Sequence, residues 1–473
     1  MLTKFLLPAI LLFCIHVQAQ PINGHGRVIV TSDHRYLQYE DGTPFFWLGD
    51  TGWELFHRLD DSEIVQYLDN RATKGFTVIQ AVILAEFDGL RKADRYGQVP
   101  LYDLNPERPN ERYFERVDRA VKESKSRGLI MGLLPTWGDK VTQLWGEGPV
   151  IFNVDNAYRY GLFLGKRYAL DENIIWILGG DRPAVKDSSD WRPIWRAMAK
   201  GIREGTGQKA LITYHPSGGE NSTSQFLQQE DWLDINMMQS GHGGGHDVPV
   251  WNWVARDRAL TPAKPTLDAE PNYEDHPVNP WPKWDPANGY FRDHDVRKQL
   301  YRSVFAGACG VTYGNHAVWQ FFSLHNDVVN HADRYWYEAV DRPGAFQAGY
   351  LRKLILSRPS LGRIPENNII ANGQADGGGH MAAFRGADGS YAMIYLPVGK
   401  TIGVNTSGIN AKTIHAWWFN PRDTKVLDQG ILKKTSLMTF TPPSTGGEND
   451  WVLVLDDEKK DYAAPGQYLE IKR

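Results

Sequence analysis

The 473-residue chain carries 52 Lys+Arg against 56 Asp+Glu, a net charge of −4, with 42% hydrophobic and 23% charged residues. These globular values exclude a disordered or fibrous chain, and near-neutrality without a basic block excludes a nucleic-acid binder. At roughly 100–200 residues per domain, the length fits two or three domains, or a barrel of about 250 residues with a companion. Aromatics are numerous, with 17 Trp, 21 Tyr and 19 Phe. Such flat amphipathic side chains suit stacking on sugar rings as well as filling large cores.

Residues 1–19 read as a cleavable signal peptide: Lys4, an apolar run from Phe5 to Ile15, then Val17-Gln18-Ala19 as the cleavage site. The run is too short to span a bilayer, and no later segment is long and apolar enough, so no membrane insertion is expected. Bulky Phe13 ahead of Cys14 argues against lipoprotein processing, which leaves Cys309 as the only thiol after cleavage. The expectation is an exported protein, periplasmic or secreted, without an internal disulfide.

Residues 20–44 follow as an N-terminal β-hairpin segment, with Val28–Val30 and Tyr36–Tyr39 closed by the turn Asp41-Gly42. From Phe45 short apolar runs alternate with amphipathic stretches. The runs are 45–48, 77–84, 130–134, 174–178, 210–214, 235–238, 266–269 and 311–313. Eight such runs match a (β/α)8 barrel over residues 45–358. Asp60-Asp61-Ser62 ahead of Glu63 supplies a helix start, and Gly75 and Gly128 end two helices. Between Gly241 and Lys264 the pattern gives a loop and a short element rather than a clear helix. A last helix spans 344–358. Residues 359–473 then change to strand-like runs between Gly, Asn and Asp turns, which predicts a small all-β sandwich.

Function in such a barrel sits at the C-terminal ends of the strands, and nearly every run here ends in a polar group. Gly179-Gly180 lets the chain turn after an apolar strand four and places Asp181 over the barrel axis; a surface pair with Arg182, or a helix cap, is the structural alternative. Strand seven offers Asp268 and Glu270, which as alternate residues share a face, the deeper Asp268 being the better candidate for a buried, paired charge. Carboxylates from strands four and seven are the equipment for protonating a glycosidic oxygen and attacking an anomeric carbon. With Asp181 as acid/base and Glu270 as nucleophile, the Asp181 carboxyl is expected to be raised chiefly by the charge of Glu270 and partly by burial. Asp50, Trp137, His215, His242, Tyr313 and Trp319 are the candidate substrate-binding residues. His242 and His246 offer a metal-hydrolase alternative, although a glycine loop is a poor frame for zinc. A non-catalytic carbohydrate- or matrix-binding protein is the other alternative. No cofactor is implied.

Five motifs occur in order: Trp47-Leu48-Gly49-Asp50-Thr51-x-Trp53, Gly179-Gly180-Asp181, His215-Pro216, Glu270-Pro271-x-Tyr273-Glu274 and Gly310-x-Thr312-Tyr313-Gly314. Together they resemble the apiosidase-like domain of glycoside hydrolase family 140 over roughly residues 25–350. The segment after it resembles the collagen-binding type of β-sandwich found in such chains. The resemblance implies a barrel that removes terminal apiose from side chains of the pectin rhamnogalacturonan-II with retention. The plant cell-wall glycan is then the partner, and Asp181 and Glu270 carry over as the catalytic pair.

Overall fold

The computed structural model describes residues 24–219, 222–278 and 284–468. The leader 1–19 lies outside the described residues. Eight parallel strands form the central sheet: Trp47–Thr51, Val78–Leu84, Ile130–Thr136, Ile174–Gly179, Ile212–His215, Asn236–Met238, Thr266–Asp268 and Gly310–Tyr313. They are barrel strands one to eight below. Strands one to five pair in order, six to eight pair in order, and eight pairs with one. The remaining seam, between five and six, is bridged by Asp234 N–H to Ile212 O at 2.9 Å and by Thr213 Oγ1 to Ile235 O at 2.8 Å. The sheet is thereby closed into a (β/α)8 barrel.

Side-chain alternation sorts the strands into two cores. Trp47, Val78, Val82, Ile130, Leu134, Ile175, Ile177 and Leu267 fill the barrel interior. Their neighbours Leu48, Ile79, Ile83, Met131, Leu133, Trp176 and Leu178 pack outward against the helices. Gln80 links the interior layers: its amide accepts from Thr312 Oγ1 at 2.8 Å and donates to Ala269 O at 3.2 Å.

The helix starts follow local chemistry. Asp60 caps Asp61–Thr73, accepting from the N–H groups of Ser62 and Glu63, while Glu63 reaches back to Asp60 N at 2.8 Å. Two sequence expectations change. The hairpin turn is Thr31–Tyr36, where Thr31 N bonds Tyr36 O at 3.0 Å and His34 takes φ 56°. Asp41-Gly42 instead leads into a third strand, Pro44–Phe45, and Val28, Leu37 and Phe45 of this small sheet join the interior cluster at the N-terminal end of the barrel. The segment read as lacking a clear helix holds Val250–Arg258, whose Val250, Trp253 and Val254 bury against Met238 and Ala308.

The last barrel helix is Pro343–Ile355, and beyond it strands form a six-stranded and a three-stranded antiparallel sheet. Strand Tyr391–Leu396 shows how this domain docks. Ala392, Ile394 and Leu396 face the core between its sheets, while Tyr391, Met393 and Tyr395 face the barrel helices. Tyr395 stacks on Tyr301 at 4.8 Å between centroids, and Phe384 meets Phe305 edge-on at 4.8 Å.

Candidate active site

A cavity of about 840 Å³ opens at the C-terminal ends of the strands. Of the sequence candidates, Trp137, Asp181, His242, Glu270 and Trp319 line it. Asp50 and Tyr313 do not, for a reason of parity. Trp47 and Thr312 point inward, so Asp50 and Tyr313, three and one residues on, point outward to the helices. There Asp50 accepts from Arg71 Nε at 2.6 Å and Tyr67 Oη at 2.5 Å, and Tyr313 Oη donates to Glu274 at 2.6 Å. Both are correctly placed strand-end residues that serve the packing of the barrel wall.

Strand seven ends at Asp268, and the strict alternation ends with it. Asp268 lies behind the site, accepting from Ser240 Oγ at 2.5 Å and paired with no arginine among the described residues, while Glu270, past the strand end, turns into the cavity. Its Oε1 is 3.1 Å from Nε2 of His242 and its Oε2 is 2.9 Å from Nε2 of His215. The first contact has hydrogen-bond geometry; the second is close but poorly aligned. Burial pushes the Glu270 carboxyl up, but the two imidazoles outweigh it and hold the group at about 2. Glu270 is therefore an ionised carboxylate in a buried place.

Asp181 is held in a left-handed conformation, φ 53°, after Gly179 and Gly180 at φ 85° and 102°. A Cβ at Gly179 would sit 2.3 Å from His215 O, and one at Gly180 2.8 Å from Gly138 N, so only glycine permits this turn. The Asp181 N–H donates to Nδ1 of His215 at 3.3 Å. One imidazole thus touches both the backbone of Asp181 and the carboxylate of Glu270, and the backbone donor leaves the ring proton on Nε2, toward Glu270. Asp181 Oδ2 accepts from Trp145 Nε1 and Arg182 Nη1, each at 3.1 Å. The Asp181–Arg182 pair exists, but with Arg182 buried and Asp181 on the cavity wall it is not a surface pair. Burial raises the Asp181 carboxyl, Arg182 opposes, and the charge of Glu270 adds to the rise. Burial, not Glu270, leads, which corrects the expected order of causes.

Residues that strand-end reading did not single out complete the site. Glu86, beyond strand two, lines the cavity with its carboxyl raised well above the ordinary range by burial and by the carboxylates of Glu54, Asp181 and Asp139. Trp53 meets His215 edge-on at 5.3 Å and lies 5.4 Å from Trp137. His242, at φ 70°, stacks on His276 at 4.5 Å. The motif containing Trp53 and the polar end of strand two were visible signals; Trp145 and His276 sit in loops without one. His246 turns elsewhere, with Nδ1 2.9 Å from Asp295 Oδ1. His242 and His246 therefore serve different carboxylates. Among the described residues no group of three or more His, Cys, Asp or Glu is placed to hold a metal ion.

The buried acids carry a stability consequence. Burial raises Asp268 to about 7 and Glu274 to about 7, from ordinary values of 3.8 and 4.5. Between those limits these two groups bind protons in the folded chain that the unfolded chain has released, so their contribution to stability falls as pH rises. His316 and His380, held down to about 4 by burial, act in the opposite direction, so the readout is the difference between two proteins. The melting temperature of the wild type minus that of Asp268→Asn is expected to be smaller at pH 8 than at pH 5. A difference that grows over this range would overturn the assignment.

The comparisons agree with this geometry. The family model described as "Apiosidase-like, catalytic domain" matches residues 31–361, and "Putative collagen-binding domain of a collagenase" matches residues 364–456. Among solved structures, the chain is similar to one titled "Glycoside hydrolase", with 33% identity and a TM-score of 0.84, covering 93% of this chain and 98% of that one. It is also similar to a glycoside hydrolase family 5 structure from Bacteroides vulgatus ATCC 8482, with 33% identity and a TM-score of 0.85, covering 93% and 95%. A GH27 β-L-arabinopyranosidase from Geobacillus stearothermophilus, 10% identical with a TM-score of 0.51 over 87% of this chain and 97% of that one, shares the fold. No curated protein matches the chain. With an ionised Glu270 and a raised Asp181 in one cavity at the mouth of the barrel, and a family model matched across that barrel, the chain belongs to the apiosidase-like family of glycoside hydrolases.

Proposed function

We propose that the protein is an exported, exo-acting glycosidase that releases terminal apiose from pectin side chains by a retaining, two-carboxylate mechanism. The observation that carries this reading is the division of charge in one cavity, with Glu270 held ionised at about 2 and Asp181 raised. Two acids with pKa values pushed apart are suited to opposite roles. Asp181 gives its proton to the glycosidic oxygen as a Glu270 oxygen attacks the anomeric carbon; the C–O bond breaks and the aglycone leaves as an alcohol. A glycosyl ester on Glu270 results. Asp181, now a carboxylate, takes a proton from water, the water oxygen attacks the same carbon, and Glu270 departs as a carboxylate.

The aromatic walls, Trp53, Trp137, Tyr273 and Trp319, support a sugar substrate, since their faces match the apolar C–H faces of a ring. Rhamnogalacturonan-II fragments incubated with the enzyme are expected to yield free apiose. With methanol as acceptor, NMR of the methyl glycoside should give the anomeric configuration of the substrate. An inverted first product would recast Glu270 as a general base, and release of a different monosaccharide would replace the substrate.

A further inference from the structure

Beside the catalytic cavity lies a second one of about 360 Å³, and the two share a wall at Trp145 and Ser217. The chemistry of the terminal sugar makes no use of it. Its position relative to the two carboxylates is informative. The wall residue Trp145 is the one whose indole N–H is bonded to Asp181 Oδ2 at 3.1 Å. A general acid delivers its proton to the oxygen that leaves with the aglycone, so the aglycone extends from the cleaved bond on the side of the acid, away from the nucleophile. The second cavity is on that side.

Its lining has the character of a sugar subsite. Trp145 and Phe226 are 40% and 36% exposed, large apolar faces left uncovered at the rim of a cleft. The Trp145 ring is braced by the Arg182 guanidinium carbon 4.1 Å from its centroid, so it is a fixed platform and not a loose surface side chain. Lys186 and Asp187 bring a cation and a carboxylate to the same cavity, a donor and an acceptor for ring hydroxyls. They stand at the turn of a short hairpin, Val185–Lys186 paired with Ser189–Asp190, with Asp187 at φ 52°.

Resting on the retaining reading above, we propose that this second cavity is the aglycone subsite, where the sugar ring bearing the cleaved bond lies against Trp145 and Phe226 with its hydroxyls toward Lys186 and Asp187. The enzyme would then recognise a disaccharide unit, a terminal residue in the deep cavity and its neighbour in the second one. Binding energy from this remote ring would act on the leaving step.

The test compares two substrates of the full chain: apiosyl fluoride, whose leaving group is a single atom, and apiose linked to a second sugar. Phe226→Ala and Lys186→Ala touch neither Asp181 nor Glu270, and both sites are on the surface, so folding is checked by an unchanged melting temperature. Each variant is expected to lose about tenfold or more in kcat/KM on the disaccharide and to stay within about twofold of the wild type on the fluoride. An equal loss on both substrates, or no loss on either, overturns the aglycone subsite while leaving the hydrolytic reading in place. A wild-type enzyme inert on both substrates overturns the apiose reading, and the subsite resting on it falls too.

Discussion

Glu270→Gln is expected to lower kcat by about 10⁴-fold or more on every substrate, roughly 5.4 kcal/mol of barrier. The amide is nearly isosteric, so the contacts of the cavity survive while the nucleophile is lost. Asp181→Ala is expected to behave differently, losing most on substrates with poor leaving groups and little on activated ones, because only the former need a proton. Azide should rescue Glu270→Ala and Asp181→Ala, the two truncations that leave room for it, with opposite product stereochemistry. The pH profile follows from the same two groups. Turnover needs Glu270 deprotonated, a condition met above about 2, and Asp181 protonated, a condition lost as pH rises through its raised value. For the wild type kcat/KM should therefore fall as pH rises through the raised value of Asp181, and that fall should vanish in Asp181→Ala. A Glu270→Gln enzyme that kept about a tenth of the wild-type rate on an activated substrate would remove Glu270 from the nucleophile role.

Arg297→Ala is expected to destabilise the folded chain by about 3–5 kcal/mol, the cost of leaving a buried carboxylate without its partner. Arg297, on a barrel helix, holds Asp450 of the sandwich through Nε at 2.7 Å and Nη2 at 2.9 Å, with both side chains buried. Tyr395 Oη donates to the same Asp450 carboxylate at 3.0 Å. A second fork joins Arg358 to Asp456 at 2.8 and 2.7 Å. The Arg297–Asp450 pair sits beside the stacked Tyr301 and Tyr395 with both side chains buried, so water does not replace a lost partner. Barrel and sandwich should accordingly unfold in one thermal transition, and Arg297→Ala should shift that transition down without splitting it. Two separate transitions in the wild type would show that the interface does not couple the domains. Removal of residues beyond 362 would uncover the aromatic faces of the barrel helices, and the truncated chain is expected to aggregate.

Much of the barrel was legible because its strands are apolar on both faces, and buried parallel strands read as continuous runs between amphipathic helices. The eight runs in the sequence correspond to the eight strands within a few residues. Weak elements escaped. Strand Ile402–Asn405 is only four residues long, and the edge strand Val426–Lys433 is interrupted by Asp428-Gln429-Gly430, so neither reads as a continuous apolar run. Helix Val250–Arg258 is nine residues long, and its buried stripe Val250, Trp253, Val254 and Asp257 ends in a charged residue, so the short apolar pattern does not stand out from its glycine-rich approach.

The proposed catalytic pair could be picked out from sequence because the turn that presents it is local: two glycines after an apolar strand, and a proline holding a carboxylate at a strand end. The partners of that pair were not. Direction at a strand end depends on the register of the whole strand, so Asp50 and Tyr313 occupied the right height and pointed to the wrong side. Apart from the neighbouring Arg182, the state of the two acids depends on side chains distant in the chain, His215 and His242 on Glu270 and Trp145 on Asp181. Chain order determined which residues could do the chemistry. Only tertiary structure decided which of them face one another and which hold a proton, because burial and charge act through space.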